Sequence, residues 1–376
     1  MSWAIWITGL PGSGKSVLAR ALASRLRDLG TPTRVLEMDA LRKILAPSLA
    51  YGHAERDVAY RALVYLATTL TESGVPVIVD ATGHRRAWRD LARVSIPNSA
   101  EVQLVCPLEV CRERERARVE GNAPRGIYAA AGRPGSTVPG VDVPYEPALS
   151  PEAVVDTARE DVPTAVERIV PLALELARAA GVLPRADDGR WAIWITGLPG
   201  SGKTTLASSV AERLAARGVR VRLLESGEAR RRIVPHAHPA PWEEDLVHRA
   251  LACAAKLLTE SGVPVIIDAA APRRAWRRLA RELVPRFAEV QLVCPPEICG
   301  HRESLVRWNP TPCAHAGRPK AALTEPPELL LDYERSLTPE LTIHTDVQGP
   351  WGAVEEILRL VERLRRAATT STTRSP

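Results

Sequence analysis

Phenylalanine occurs once in 376 residues and methionine twice, and aromatic side chains make up only 4% of the chain. A groove that holds single-stranded nucleic acid needs aromatics interleaved with cations, and no such stretch is present. Long basic runs are also missing. Arg230-Arg231-Arg232 is the longest, so a formal charge of +6 and a pI near 9.2 rest on scattered arginines. That distribution suits a small anionic ligand better than a nucleic-acid stripe. No run of ~18 apolar residues exists, which excludes a membrane-spanning helix. Six cysteines are too few for a disulfide framework in a chain of this length. Cys106 and Cys111 recur as Cys294 and Cys299, a spacing that fits neither a zinc knuckle nor a redox pair. Reduced, buried thiols and a cytoplasmic protein are expected.

What is present in quantity is one motif, twice. Trp3–Ser16 reads WAIWITGLPGSGKS and Trp191–Thr204 reads WAIWITGLPGSGKT. Each is a short apolar run, then Gly-x-x-x-x-Gly-Lys-Ser/Thr, then alternating apolar residues of helical spacing. This strand, glycine-rich turn and helix start is the setting of a phosphate-binding loop. Gly9, Gly12, Ser13, Gly14, Lys15 and Ser16 form the first such loop, and Gly197, Gly200, Ser201, Gly202, Lys203 and Thr204 the second. Their backbone N–H groups converge on phosphate oxygens at a helix N-terminus. Lys15 or Lys203 is expected to reach the β and γ phosphates of ATP, with the Ser16 or Thr204 hydroxyl on Mg²⁺. The loop starts so early that no presequence is expected ahead of the first strand.

The repeat extends beyond the loop. An offset of 188 separates Trp3 from Trp191, and it holds for Thr71–Ile78 (TESGVPVI), Arg85–Trp88 (RRAW), Ala100–Pro107 (AEVQLVCP) and Tyr145-Glu146. Two homologous domains are therefore expected in tandem: residues 1–180, a polar linker 181–190, residues 191–366, and a disordered tail 367–376. In the first, strands are expected at Trp3–Thr8, Thr33–Met38, Val75–Asp80, Ala100–Cys106 and Pro151–Val155. Helices are expected at Ser16–Leu29, Ala54–Ser73, Trp88–Val94, Glu109–Arg118 and Val162–Ala180. The Gly- and Pro-rich stretch Asn122–Pro147 reads as a lid. Alternating strands and helices give an α/β fold of P-loop NTPase type, a mostly parallel sheet with helices on both faces.

Phosphoryl transfer also needs a metal environment, positive charge near the transferred group and a residue that positions the acceptor. Asp39 and Asp80 each follow a predicted strand, where open parallel sheets place their ligands. Asp80 suits the Mg²⁺ shell, directly or through water. Asp39, followed by Leu41-Arg42, suits an acceptor hydroxyl as base or orienting carboxylate. Either also fits a turn or a helix N-cap. Among the arginines from Arg112 to Arg118, Arg114 is the candidate lid cation, because its counterpart Arg302 persists in a divergent second copy. A solvated helix face is the competing explanation.

This pattern resembles the adenylyl-sulfate kinase family. The likeness lies in Ile7–Leu22, in Leu36–Arg42 (LEMDALR), in Tyr51, Glu55, Arg56 and Arg61, in Pro107–Cys111, in Arg125–Tyr128 and in Pro139–Pro151 (PGVDVPYEPALSP). It implies a kinase that uses MgATP to phosphorylate the 3′-hydroxyl of adenosine 5′-phosphosulfate. Asp39 would then act on that hydroxyl, Arg42, Arg56 and Arg61 would hold the phosphosulfate, and Tyr51 would stack on the adenine. A homo-oligomer is compatible with it. Ala59, Val138 and Asp80-Ala81-Thr82 depart from the family's Asn, aromatic and Ser-rich run. These departures leave open a P-loop kinase for another small hydroxylated substrate. A non-catalytic nucleotide-binding regulator is a third reading. In the second copy Asp39 becomes Gly227, Tyr51 becomes Pro239 and Arg56 becomes Glu244, so that copy is expected to bind nucleotide without serving the same acceptor.

Overall fold

The computed structural model describes residues 1–47, 52–180, 190–236, 240–308 and 333–366. Tyr51, Pro239, nearly all of the predicted linker and the tail 367–376 lie outside them. The chain divides into two compact units, Met1–Pro184 and Arg185–Pro376.

In the first unit, strands β1 (Ala4–Thr8), β2 (Arg34–Glu37), β3 (Val77–Asp80), β4 (Ser99–Val105) and β5 (Ala153–Asp156) form one sheet in the order β2-β3-β1-β4-β5. Every pairing is parallel. Position in the sheet explains the sequence of each strand. The inner strands β1 (AIWIT) and β3 (VIVD) are buried throughout, as expected for parallel strands covered on both faces. Edge strands β2 and β5 each bury one residue, Leu36 and Val155.

Helices α1 (Lys15–Asp28), α2 (Met38–Leu45), α3 (His53–Glu72), α4 (Arg86–Ser95), α5 (Leu108–Ala117) and α6 (Val162–Ala180) connect and flank the strands. Helix α1 buries Leu18, Ala19, Leu22, Ala23 and Leu26, a stripe of helical spacing. That stripe joins Trp3, Ile5 and Ile7 of the central strand region and Ile169, Val170 and Ala173 of α6 in one core. Helix α2 is an addition to the sequence expectation, which ended at a strand through Met38.

The second unit repeats this plan. Strands β6 (Ala192–Thr196), β7 (Arg222–Glu225), β8 (Val265–Asp268), β9 (Phe287–Val293) and β10 (Leu341–His344) form a sheet of order β10-β9-β6-β8-β7. Its helices are α7 (Lys203–Ala216), α8 (Ser226–Ile233), α9 (Pro241–Glu260), α10 (Arg274–Leu283), α11 (Pro296–Trp308) and α12 (Pro350–Arg366).

The register places the chemistry. Ile7 and Glu37 both lie opposite Asp80, so β1, β2 and β3 end at one edge of the sheet. The loop after β1, Asp80 at the end of β3 and Asp39 just beyond β2 share that edge, where an open parallel sheet carries its ligands.

Candidate active site

Glycine geometry shapes the phosphate loop. Gly14 caps α1 in the left-handed region, with φ 95° and ψ 8°. Gly12 has φ 80°, and a Cβ there would collide with the carbonyl of Cys111 on α5. Only glycine meets both demands. Lys15 is buried and its Nζ donates to the carbonyls of Gly9 and Leu10 at 3.1 and 2.9 Å. Burial lowers its pKa, while the carboxylates of Asp80 and Asp39 pull it back up. Ser13 is fully buried and its Oγ finds no hydrogen-bond partner among the described residues. A buried orphan hydroxyl inside this loop fits an anionic ligand that supplies the missing acceptor.

Asp80 is 4% exposed and receives the Ser16 hydroxyl. Burial raises its pKa, against Lys15 and that hydrogen bond. One hydroxyl and one carboxylate beside the loop suit a magnesium ion that takes most of its ligands from phosphate and water. Among the described residues no group of three or more His, Cys, Asp or Glu could hold a metal by itself.

Asp39 lies in the first turn of α2. Its pKa is raised by burial, and Lys15 and Arg42 oppose that shift. Arg42 and Arg56 both have their pKa lowered by burial. Arg56 donates to the carbonyl and hydroxyl of Thr137 at 3.0 and 2.6 Å, which ties it to the lid. Beneath them Tyr60 stacks on Trp88 at 4.1 Å and its hydroxyl accepts the Gly83 N–H at 2.9 Å. Burial pushes the Tyr60 hydroxyl up to about 12. His84, edge-on to Trp88 at 5.0 Å, is driven down to about 4 by burial and then by Arg56 and Arg85, so it is neutral at pH 7.

The lid closes over this floor. Buried Glu115 accepts the Gly126 and Ile127 amides, at 2.7 and 3.3 Å. Tyr128 donates its hydroxyl to the carbonyl of Pro11 in the phosphate loop at 2.7 Å. Asn122 reaches across to Glu37 and Lys43 at 3.0 and 2.9 Å. A half-open cavity of about 750 Å³ brings Lys15, Ser16, Asp39, Arg42, Arg56, Asp80 and the lid together.

The family model for adenylylsulphate kinase matches residues 1–156 and again 190–306. The chain belongs to the adenylylsulphate kinase family. It is an ATP-dependent kinase, present as a tandem duplication. A probable adenylyl-sulfate kinase of Archaeoglobus fulgidus is 39% identical over 164 residues, covering 43% of this chain and 99% of that protein. An adenylyl-sulfate kinase of a Synechococcus strain is 36% identical over 166 residues, covering 44% of this chain and 90% of its own. Among solved structures, the Mycobacterium tuberculosis APS kinase CysC in complex with AMPPNP and APS is 30% identical. The match covers 46% of this chain and 98% of that one, with a TM-score of 0.41.

Of the residues expected in this kinase site, Arg61 and Arg114 sit differently from the rest. Arg61 pairs with Asp57 at 2.8 Å, and Asp57 also accepts the Trp88 indole N–H at 2.7 Å. The second unit reproduces that set as Arg249, Asp245 and Trp276, at 2.6 and 2.6 Å, although its acceptor side has changed. Arg114 lies on the cavity wall but donates to the hydroxyl and carbonyl of Thr157, at 3.2 and 2.7 Å. Thr157 in turn donates to the Ser13 carbonyl at 3.0 Å. Arg302 makes the matching contacts with Thr345, which accounts for its persistence in the second copy. A cation whose charge reaches both Lys15 and Asp39 is Arg118, at the C-terminal end of α5. Neither it nor Thr137, Glu115 and Asn122 carries a local sequence signal.

Proposed function

We propose that residues 1–180 transfer the γ-phosphoryl group of ATP to the 3′-hydroxyl of adenosine 5′-phosphosulfate. The carrying observation is that one cavity is lined by Lys15, Ser16 and Asp80 together with Asp39, Arg42 and Arg56. Asp39 takes the hydroxyl proton as that oxygen bonds to the γ-phosphorus, the bond to the β,γ-bridging oxygen breaks, and ADP leaves. Lys15 and the loop amides hold the β and γ phosphates in line, and Arg118, at the end of α5, adds positive charge on the cavity lining. Ser16 and Asp80 would hold Mg²⁺, which would supply positive charge against the phosphates. Arg42 and Arg56 receive the phosphosulfate end, whose negative charges compensate two partly desolvated guanidinium groups.

A second reading, a P-loop kinase for a different small hydroxylated molecule, is favoured by Val138. This side chain lines the cavity at 7% exposure, and a valine offers no face for base stacking. Coupled ADP release with MgATP against adenosine 5′-phosphosulfate and a panel of small alcohols separates the two. Turnover with the phosphosulfate is expected. Turnover with another acceptor alone would establish the second reading.

A further inference from the structure

The 188-residue offset retains one half of the machine in the second unit and cancels the other. On the nucleotide side, Gly202 caps α7 with φ 93° and Lys203 donates to the carbonyls of Gly197 and Leu198, at 3.0 and 2.9 Å. The Thr204 hydroxyl donates to Asp268 at 2.6 Å. Ser201 is fully buried, its Oγ without a hydrogen-bond partner among the described residues. The orphan hydroxyl and the Thr204–Asp268 pair are independent signs of a phosphate and a divalent cation.

On the acceptor side the charges have been turned inward. Glu244 stands where the first unit has Arg56, and it forms an ion pair with Arg230, the counterpart of Arg42. Two cations that would receive an acceptor anion are thus replaced by one cation and its own counter-ion. Gly227 stands in place of Asp39, so the carboxylate at that position is gone. His248 replaces Tyr60. It stacks on Trp276 at 3.9 Å and bonds through Nδ1 to the Glu244 carbonyl at 2.9 Å.

We propose that the second unit is a binding site for a magnesium-bound nucleoside triphosphate that does not transfer its phosphate, its acceptor half being neutralised by the Arg230–Glu244 pair. It is a nucleotide-occupancy site carried on the same chain as the kinase. The proposal rests on the kinase reading of the first unit only for the contrast in turnover.

The full-length chain tests it by counting nucleotides. Equilibrium dialysis with MgATPγS should give two equivalents for the wild-type chain, one for Lys15→Ala and none for Lys15→Ala/Lys203→Ala. Thr204→Val, which keeps the size of the side chain, should weaken the equivalent remaining in Lys15→Ala by tenfold or more in Mg²⁺ and much less in EDTA. The Lys15→Ala chain should release ADP at least a hundredfold more slowly than wild type. A single equivalent in wild type and none in Lys15→Ala would overturn the binding claim. Undiminished turnover in Lys15→Ala would overturn the claim of no transfer. A wild-type chain inactive toward adenosine 5′-phosphosulfate would refute the acceptor assigned to the first unit, while the nucleotide count would still decide this one.

Discussion

Burial raises the pKa of Asp39, and Lys15 and Arg42 only partly offset it. A carboxylate that accepts a proton works in its ionised form, so kcat/KM should fall as pH drops through a value above the ordinary Asp range of ~4. Asp39→Asn should lower kcat by ~10²–10⁴-fold while ATP binding persists. Stability should move the other way. A carboxyl whose folded pKa exceeds its unfolded value contributes stability at low pH and loses it as pH rises through the folded pKa. Asn does not ionise, so the variant's unfolding midpoint at neutral pH should rise. An inactive variant that is also less stable would give Asp39 a structural role. The neighbouring arginines divide by the same logic. Arg56→Ala removes a cation from the cavity and should raise the acceptor KM by ~10–100-fold, the worth of a charge-assisted hydrogen bond. Arg61→Ala breaks a half-exposed i,i+4 pair with Asp57 and should cost only about 0.3–1 kcal/mol of stability, with little change in KM. Equal rises in KM would place Arg61 on the substrate.

Between β4 and the lid, α4 contributes Arg89, whose side chain is 1% exposed and lies 2.5 Å from Glu101 on β4. The same guanidinium donates to the carbonyls of Gly83 and Glu146, binding the end of the lid to the loop after β3. Arg89→Met should cost about 3–5 kcal/mol in denaturant unfolding, because it leaves the buried Glu101 carboxylate with only the more distant Arg93 as counter-ion. Arg89→Met/Glu101→Leu should recover part of that loss. None of this pairing was visible in RRAWRD or AEVQ, since it joins elements whose approach only the sheet determines. The strands and long helices were legible because each carries its own period and its own stop, as Gly30 and Gly74 do for α1 and α3. Helix α2 was missed because β2 runs into it at Glu37, with φ −87° and ψ 115°, without a Gly, Pro or Ser to mark the change. The pattern was nonetheless there in Met38, Leu41 and Leu45, all buried. Phosphate-loop residues were legible because backbone geometry restricts them to glycine. Arg118 and Asn122 were not, because a cavity-lining side chain is defined by what it meets across the cavity.

Each unit draws its core from its own residues, Trp3 to Ala180 in the first and Trp191 to Leu364 in the second. The ion pair Arg89–Glu101, the set Asp57–Arg61–Trp88 and the Thr8–Tyr145 hydroxyl contact recur as Arg277–Glu289, Asp245–Arg249–Trp276 and Thr196–Tyr333. What duplication has kept intact is therefore the set of contacts that stabilises the fold together with the nucleotide loop. What has diverged is the acceptor side, where Asp39 and Arg56 become Gly227 and Glu244. Relatives 36–39% identical match 43–44% of this chain over 90–99% of their own length, so one unit corresponds to a whole relative. A chain ended after Pro184 should then fold cooperatively and keep kcat/KM for phosphoryl transfer within about one order of magnitude of the full chain, a change of ~1.4 kcal/mol or less in transition-state stabilisation. Circular dichroism melting and the coupled ADP assay check both parts. A shortened chain that folds but has lost transfer would mean that the acceptor site of the first unit needs the second.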